Sequence, residues 1–280
     1  MSPILEFVLR SGGDPERFTH SIDRAIAQGA RADRLGYAFL AGYTSAVTAL
    51  APTISPNELG ALCATESGGG HPRAILTTLE NGRLNGTKHF VSGGSLATVL
   101  LVVARVGAKD GRPELKVARI AANKPGVTVE QGAPLDFVPE IPHGAVTFKD
   151  AEVDAVLEGD GYERYLKPFR TIEDLHVFGA VVACLIANGR AGFPQSTTEQ
   201  LLGVLSSILS LGREDPRAAS VHLALAGVLT TARALIDSLD LTRLDPYFRE
   251  RFLRDKPLLQ IASRVREQRR LKAWELLSGE

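Results

Sequence analysis

The stretch Leu62–Pro72, LCATESGGGHP, places a threonine, a glutamate and three consecutive glycines directly after an apolar segment. Consecutive glycines leave backbone N–H groups uncovered, and oriented N–H groups form a concavity that binds anions such as phosphate. The same backbone could instead lie against a flat cofactor or against the next strand. The sequence contains no GxxxxGK[ST], GxGxxG, GxSxG or HExxH, so these local motifs reveal no site.

Composition excludes several classes of partner and site. The 32 basic and 32 acidic side chains give a net charge of zero, which offers no electrostatic case for nucleic acid or an anionic membrane as the main partner. Cys63 and Cys184 are far apart, and no Cys/His cluster predicts a metal site or a disulfide framework. We find no signal peptide and no uncharged apolar stretch long enough to span a bilayer, so we expect a cytoplasmic protein.

The elements around the glycine-rich stretch change character twice along the chain. Residues 1 to about 52 are rich in alanine and leucine and predict helices, with Asp14 as an N-cap and Pro15 at a first helical position. From about 58 to 157, ENGRLNGTKHFVSGG is typical of two turns flanking a short strand, and VLLVVARV of a buried strand. Several short strands at this spacing favour a small antiparallel barrel or sandwich.

Helices return from about residue 161. One is predicted to end at Gly189, a second covers VHLALAGVLTTARALIDSLD, and a third covers DKPLLQIASRVREQRRLKAWELL. The second helix places its apolar residues on one face: these are Leu225, Leu229, Ala232, Ile236 and Leu239. We therefore predict an α+β fold, mostly α, with a short N-terminal helical segment (1–57), a central β-domain (58–157) and a C-terminal helical bundle (158–280).

This order, together with one long stretch, resembles the acyl-CoA dehydrogenase family. The family pattern T-E-x-G-x-G-S-D, then L-N-G-x-K-x-[WF]-I-[TS]-N-G, then L-V-x-A-R, is matched in order across Leu62–Arg105. The matching residues are Thr65-Glu66, Gly68, Gly70, Leu84-Asn85-Gly86, Lys88, Phe90-Val91-Ser92 and Ala104-Arg105. KPGVTVEQG and AVTFKDAEVDAVLEGDGYERYL continue the resemblance more weakly.

The resemblance implies FAD as the cofactor and an acyl-CoA or other acyl thioester as the substrate. Carried over by position, Leu62, Ala64 and Thr65 line the isoalloxazine ring, with Phe90 and Ser92 on its other side. Gly70 allows a phosphate to approach closely. The chain departs from the family at the next two positions, where His71 replaces a serine and Pro72 an aspartate. His71 can still donate to a phosphate, whereas Pro72 lacks an N–H donor.

The chain end lacks the family's catalytic base. RFLRDKPLLQIASRVREQRRL (251–271) resembles the block R-x-x-R-D-x-x-x-x-x-I-x-E-G-T, but Ser263-Arg264-Val265 stand where the family has Glu-Gly-Thr. A serine hydroxyl cannot remove an α-proton unaided because its pKa is too high. The long helix and the Gly-Gly-x-Gly turn that hold the adenine half of a neighbouring subunit's flavin are also missing, just before Asp245.

Other family branches place the base on an earlier helix, which here suggests Glu173, Asp174 or His176 in TIEDLH. We interpret that stretch as a solvated helix start with no catalytic role. Arginines near the end of the chain could contact phosphates, but we interpret them as a solvated helix face balanced by Glu267 and Glu275. These arginines are Arg264, Arg266, Arg269 and Arg270.

Three interpretations remain open. The chain is the base-lacking subunit of a heteromeric FAD-dependent oxidoreductase acting on CH–CH bonds, assembled with a fuller homologue. Alternatively it is a stand-alone flavoprotein with altered chemistry, in a homo-oligomer, or a non-catalytic relic of the fold that binds a partner or an acyl group. The first predicts a partner that carries Glu-Gly-Thr, the second predicts flavin in the isolated chain, and the third predicts neither flavin nor an effect on a partner.

Overall fold

The computed structural model describes residues 3–11, 18–55 and 58–279. The chain divides into two compact units, one formed by Met1–Ala46, Asp136–Val138 and Thr171–Glu280, and the other by Val47–Leu135 and Pro139–Arg170. The first unit is mostly helical, and the second contains the sheet. The helix start predicted at Asp14 and Pro15 lies outside the described residues.

The α-helices are found at both ends of the described chain, as predicted. They are α1 Pro3–Ser11, α2 Ser21–Gly29, α3 Leu35–Leu50, α4 Lys167–Gly189, α5 Gln195–Leu211, α6 Ala219–Asp237, α7 Pro246–Asp255 and α8 Ser263–Ser278. A π-helical turn, Gly161–Leu166, leads into α4, and Asp160 caps it by accepting hydrogen bonds from the N–H groups of Tyr162 and Glu163.

Glycines let α2 and α3 approach α4 closely. A Cβ on Gly29 would lie 2.3 Å from the carbonyl oxygen of Ala180, and one on Gly42 would lie 2.6 Å from Cα of Val177. Backbone therefore packs against backbone at both contacts, and larger side chains are excluded there. The apolar face predicted for α6 is confirmed at Leu225, Leu229, Ala232 and Ile236, which are buried, whereas Leu239 follows the end of the helix.

The C-terminal helices differ from the prediction in two places. Helices α5 and α7 were not predicted from the sequence. The third helix was predicted to start at Asp255, but α7 ends at that residue, a 3₁₀ segment covers Lys256–Gln260, and α8 starts only at Ser263. Ala262 at the break adopts a left-handed backbone conformation with φ 63°, which an α-helix cannot contain.

The described strands form a single sheet. They are β1 Gly60–Cys63, β2 Thr78–Glu80, β3 Arg83–Ser92, β4 Val99–Lys109, β5 Arg112–Ala121, β6 Val127–Gln131, β7 His143–Glu152 and β8 Ala155–Val156. The strand order is β6-β7-β3-β2-β4-β5-β8, and β1 pairs with β4. Strand β4 pairs in parallel with β1 and with β2. The sheet is therefore mixed, whereas the sequence predicted an antiparallel one.

Strand β4 runs through the core of this unit and confirms the predicted buried strand. Residues Val99–Ala104 are completely buried on both faces of the sheet, as their β-branched run indicates. Leu100, Val102 and Ala104 share one apolar cluster with Ala61 and Cys63 of β1. Strand β3, predicted to be short, extends over ten residues.

Two helical segments, Gly161–Gly189 and Ala219–Asp237, are long and apolar enough to cross a membrane by length and composition. In their most apolar windows, 72% of the first and 28% of the second is buried within the structure. One or two such helices are weak evidence for a membrane span, because the core helices of soluble proteins pass the same test.

Candidate functional site

The glycine-rich stretch forms a tight turn immediately after β1. Glu66 and Gly69 exchange two backbone hydrogen bonds, with N···O distances of 3.1 and 2.8 Å. Gly69 has φ 100°, a conformation that side chains other than glycine rarely adopt. At least one of the three glycines is therefore needed to close the turn, independently of any ligand.

A buried ion pair fastens this turn to β3. The ammonium of Lys88, which is completely buried, lies 2.6 Å from Oε1 of Glu66. The same carboxylate accepts hydrogen bonds from the N–H groups of Thr77, at 3.0 Å to Oε1, and Leu76, at 2.8 Å to Oε2. Glu66 thus connects the turn, the segment before β2 and strand β3 through one side chain, and each of its oxygens accepts a donor.

The two charges stabilise each other against burial. Burial lowers the pKa of Lys88, and Glu66 opposes this shift. Burial alone would raise the pKa of Glu66, but hydrogen bonds from Lys88 and Thr77 and the charge of Lys88 lower it overall. A buried pair of this kind contributes a fixed geometry more than net stability, and removal of one partner leaves a buried charge uncompensated.

Immediately after Lys88, β3 contains a bulge. Lys88 pairs with Val146 and Val91 with Gly144, so two residues of β3 face a single residue of β7 between these pairs. Phe90 in the bulge has φ 54°, and its side chain is 75% exposed. An exposed aromatic ring on a strained backbone does not stabilise the fold, and such strain is concentrated at functional sites.

The turn and the bulge lie side by side. The carbonyl of Thr65 accepts a hydrogen bond of 2.8 Å from the N–H of His89, which precedes Phe90. A Cβ on Gly70 would lie 3.5 Å from Oγ1 of Thr65. Of the predicted residues, Thr65 therefore lies next to Gly70 and is hydrogen-bonded to the residue that precedes Phe90.

The other predicted ring-facing residues are Leu62 and Ala64, in and after β1, and Ser92 at the end of β3. Ala61 and Cys63 point into the core cluster, so Leu62 and Ala64 lie on the opposite face by strand alternation. Leu62 is nearly fully buried. Ser92 is partly buried and pairs with His143 of β7 at the end of β3.

His71 follows the turn and caps a short 3₁₀ segment. Its Nδ1 accepts a hydrogen bond of 3.2 Å from the N–H of Arg73. A neutral imidazole that accepts at Nδ1 carries its proton on Nε2, so His71 has an N–H donor on its other nitrogen. The ring is exposed, and this donor can contact an anion although Pro72 cannot.

At the expected base position, Ser263 starts α8 as an exposed residue. Its hydroxyl donates to the carbonyl of Gln260. This hydroxyl therefore donates to a backbone carbonyl and contacts no activating base among the hydrogen bonds of the described residues.

Asp174 is not a solvated helix residue, and that prediction is wrong. It is buried within α4, with Arg266 Nε 2.8 Å from Oδ1 and Arg269 Nη2 2.6 Å from Oδ2. The prediction of a solvated face is therefore also wrong for these two arginines, whereas Arg270 pairs with Glu267 on the exposed face. Both oxygens of Asp174 are occupied by guanidinium groups, so its contacts are structural ones within the helical unit.

His176 is also buried rather than solvated. Its Nδ1 lies 2.7 Å from the carbonyl of Ile172 and therefore carries the proton, and its Nε2 accepts from Ser21 Oγ at 2.8 Å. Burial lowers the pKa of His176 to about 4, so the ring is neutral near pH 7. The spacing of a serine and a histidine resembles a nucleophile and its base, but both ring nitrogens are occupied by structural contacts.

Sequence reasoning assigned no role to the Glu66–Lys88 pair. One signal was available, because Leu84, Gly86 and Lys88 alternate along β3 and a lysine in an inward position predicts a buried anionic partner. The Asp174 contacts gave no comparable local signal, since the arginines follow 92 and 95 residues later.

Comparisons with known proteins identify a family for the sheet unit and a fold for the chain. A model of the acyl-CoA dehydrogenase middle domain matches residues 61–151, which include every predicted cofactor-binding residue. No curated protein matches the chain by sequence. Butyryl-CoA dehydrogenase from Megasphaera elsdenii has a similar structure, with TM-score 0.64 and 15% identity over 97% of this chain and 89% of its own.

Two further solved structures show the same fold. Acyl-CoA dehydrogenase from Geobacillus kaustophilus gives TM-score 0.64 and 14% identity over 98% of this chain and 90% of its own. An FAD complex of PigA gives TM-score 0.67 and 15% identity over 98% of this chain and 89% of its own. Residues 61–151 therefore belong to the acyl-CoA dehydrogenase middle-domain family, and the chain as a whole has the acyl-CoA dehydrogenase fold.

Proposed function

We propose that this chain is the base-lacking subunit of a heteromeric FAD-dependent enzyme that α,β-dehydrogenates an acyl-CoA thioester. One observation carries the proposal. The turn that holds Thr65 and Gly70 is hydrogen-bonded to the β3 bulge that holds Phe90, whereas the Ser263 hydroxyl and both Asp174 oxygens are taken up by structural contacts.

The residues of the sheet unit are suited to a flavin. Phe90 offers an exposed aromatic face, and Thr65 and Ser92 offer hydrogen-bonding groups beside it. Gly70 and the Nε2–H of His71 would hold a phosphate, since an uncovered backbone and an N–H donor suit an anion. FAD, when bound, supplies the acceptor for the hydride that leaves the β-carbon of the thioester.

The proposed division of labour follows from the missing base. This chain orients the flavin and the thioester, and a carboxylate of a fuller homologue accepts the α-proton. The solved structures of similar fold include a butyryl-CoA dehydrogenase and an acyl-CoA dehydrogenase, which supports an acyl-CoA substrate. Oligomerisation with a related chain is consistent with the zero net charge, which does not oppose association.

The test is reconstitution with a homologue that carries Glu-Gly-Thr. We expect the purified pair to contain FAD and to oxidise an acyl-CoA, measured by reduction of an artificial electron acceptor. Replacement of the partner's glutamate by glutamine should abolish turnover, and Ser263→Ala in this chain should leave it unchanged. Loss of turnover in Ser263→Ala, or turnover that survives the partner's substitution, would contradict the assignment.

A further inference from the structure

Three arginines from two helices lie close together in the helical unit, and two of them bind one carboxylate. Arg266 and Arg269 of α8 bind Asp174 of α4. Arg233 of α6 lies beside them, because its guanidinium carbon is 5.7 Å from the centre of the Phe178 ring, and that of Arg266 is 5.2 Å from the same ring. This arginine cluster, Arg233, Arg266 and Arg269, carries two positive charges more than its single carboxylate.

Arg266 and Arg269 use their donors on defined acceptors. The Nε and Nη2 atoms of Arg266 lie 2.8 and 2.7 Å from Oδ1 of Asp174, and its Nη1 donates to the carbonyl of Ile261 at 2.7 Å. Arg269 donates to Asp174 and to the hydroxyl of Thr171. Both oxygens of Asp174 are therefore engaged by Arg266 and Arg269.

Arg233 is different. Its Nε and Nη2 atoms are buried, and neither has a hydrogen-bond partner among the described residues. Nε and Nη2 form the edge of a guanidinium that binds a two-oxygen anion side-on, the same edge that Arg254 uses on Asp255. The nearest acid on its own helix, Asp237, binds Lys256 at 2.7 Å.

Two buried N–H donors without acceptors are unfavourable for the fold. Burial lowers the pKa of Arg233, and the charge of Arg266 lowers it further, against the weaker influence of Asp174 and Asp237. Arginine nevertheless stays protonated in proteins. Contact with the face of Phe178 stabilises the charge but does not satisfy two N–H donors.

We propose that Arg233 binds an oxyanion, the carboxylate or phosphate group of a small molecule, through its Nε–Nη2 edge. Such an anion compensates the surplus charge of the arginine cluster and satisfies both donors at once. Arg233 as a residue is only partly buried, so the site lies at the periphery of the helical unit and not at its centre. The site is independent of the proposed dehydrogenase role, since it involves no residue of the sheet unit.

The test is thermal unfolding of the full chain in sodium phosphate, sodium acetate and sodium chloride at equal ionic strength. We expect a saturable rise in Tm of about 2–4 °C in phosphate or acetate, and whichever salt acts identifies the anion class. Arg233→Met should remove the saturable rise, and Arg233→Lys, which keeps the charge but not the two-donor edge, should weaken it. Arg190→Met, at an exposed arginine of the same unit, should respond like the wild type.

Three results would overturn the proposal. The first is an equal Tm of the wild type in all three salts. The second is an Arg233→Met variant whose Tm rises as much as that of the wild type, which would indicate only the general stabilisation by excluded salts. The third is a wild type whose Tm does not depend on the salt, together with an Arg233→Met variant that sediments differently from the wild type. That result would assign Arg233 to an interface between chains.

Discussion

Phe90 shows how a single residue reveals the candidate site. Its left-handed backbone is unfavourable by about 1–2 kcal/mol for a residue with a Cβ, and its exposed ring adds no packing in return. Phe90→Gly should therefore raise the free energy of unfolding by up to about 1 kcal/mol while weakening FAD retention. Urea unfolding and flavin quantification after denaturation measure the two effects.

Phe90→Ala is the matched control for that experiment. It removes the ring but keeps the Cβ, so it should weaken FAD retention without the gain in stability. If Phe90→Gly were clearly less stable than the wild type, the strain at this position would be disproved.

A second prediction at the scale of single residues concerns the buried Glu66–Lys88 ion pair. Lys88→Met leaves the Glu66 carboxylate buried without its cation, so we expect unfolding to become easier by about 3–5 kcal/mol. The double variant Glu66→Gln/Lys88→Met should recover part of this loss, because it removes the buried charge. Urea unfolding of the wild type, of Glu66→Gln, of Lys88→Met and of the double variant gives the double-mutant cycle that measures the coupling between the two side chains.

Lys149→Met on the exposed part of β7 is the control, with an expected change within about 0.5 kcal/mol. A Lys88→Met variant as stable as this control would show that the pair does not fix the turn.

At the scale of elements, close glycine contacts set how α2 and α3 pack on α4. Gly42→Ala places a methyl group where backbone atoms of α4 already lie, 2.6 Å away, and should lower Tm by several degrees. Gly227→Ala in α6 has open space around the added methyl and should raise stability by about 0.5–1 kcal/mol through helix propensity. Differential scanning calorimetry of both variants gives the comparison, and a stable Gly42→Ala protein would contradict the close packing.

Elements with a strong local pattern could be predicted from the sequence. The β-branched run of β4 and the apolar face of α6 gave both type and position, because burial on a sheet or on one helix face imposes the pattern directly. The break between α7 and α8 could not be predicted. It depends on the left-handed conformation of Ala262, and Arg266 holds the preceding carbonyl of Ile261, a contact that leaves no periodic pattern.

Some residues of the candidate site could likewise be proposed from the sequence, and others could not. The turn and Phe90 could be proposed from the sequence because the matching residues follow one another within Leu62–Arg105. The arginines that hold Asp174 are remote in sequence, and the hydroxyl that faces His176 belongs to Ser21, 155 residues earlier. Such contacts form only when the whole helical unit folds.

For the whole molecule, His176 predicts a pH dependence of stability. Its pKa is about 4 in the folded chain and about 6.5 when unfolded, so the unfolded chain binds more protons between these values. The free energy of unfolding should therefore fall by up to about 3 kcal/mol as the pH falls from 6.5 to 4. His176→Gln should lack this part of the slope in urea unfolding, and His20→Gln, at an exposed histidine, should keep it. Parallel slopes for the wild type and His176→Gln would contradict a neutral buried imidazole.

The most direct test of the proposed function is the visible absorption spectrum of this chain purified alone and supplied with FAD, followed by turnover of an acyl-CoA. A chain that provides the ring-facing surface but no base should retain FAD only substoichiometrically and should show no turnover until the fuller homologue is added. Stoichiometric FAD together with turnover by the isolated chain would contradict the account, and would show that a residue of this chain other than Ser263 accepts the α-proton.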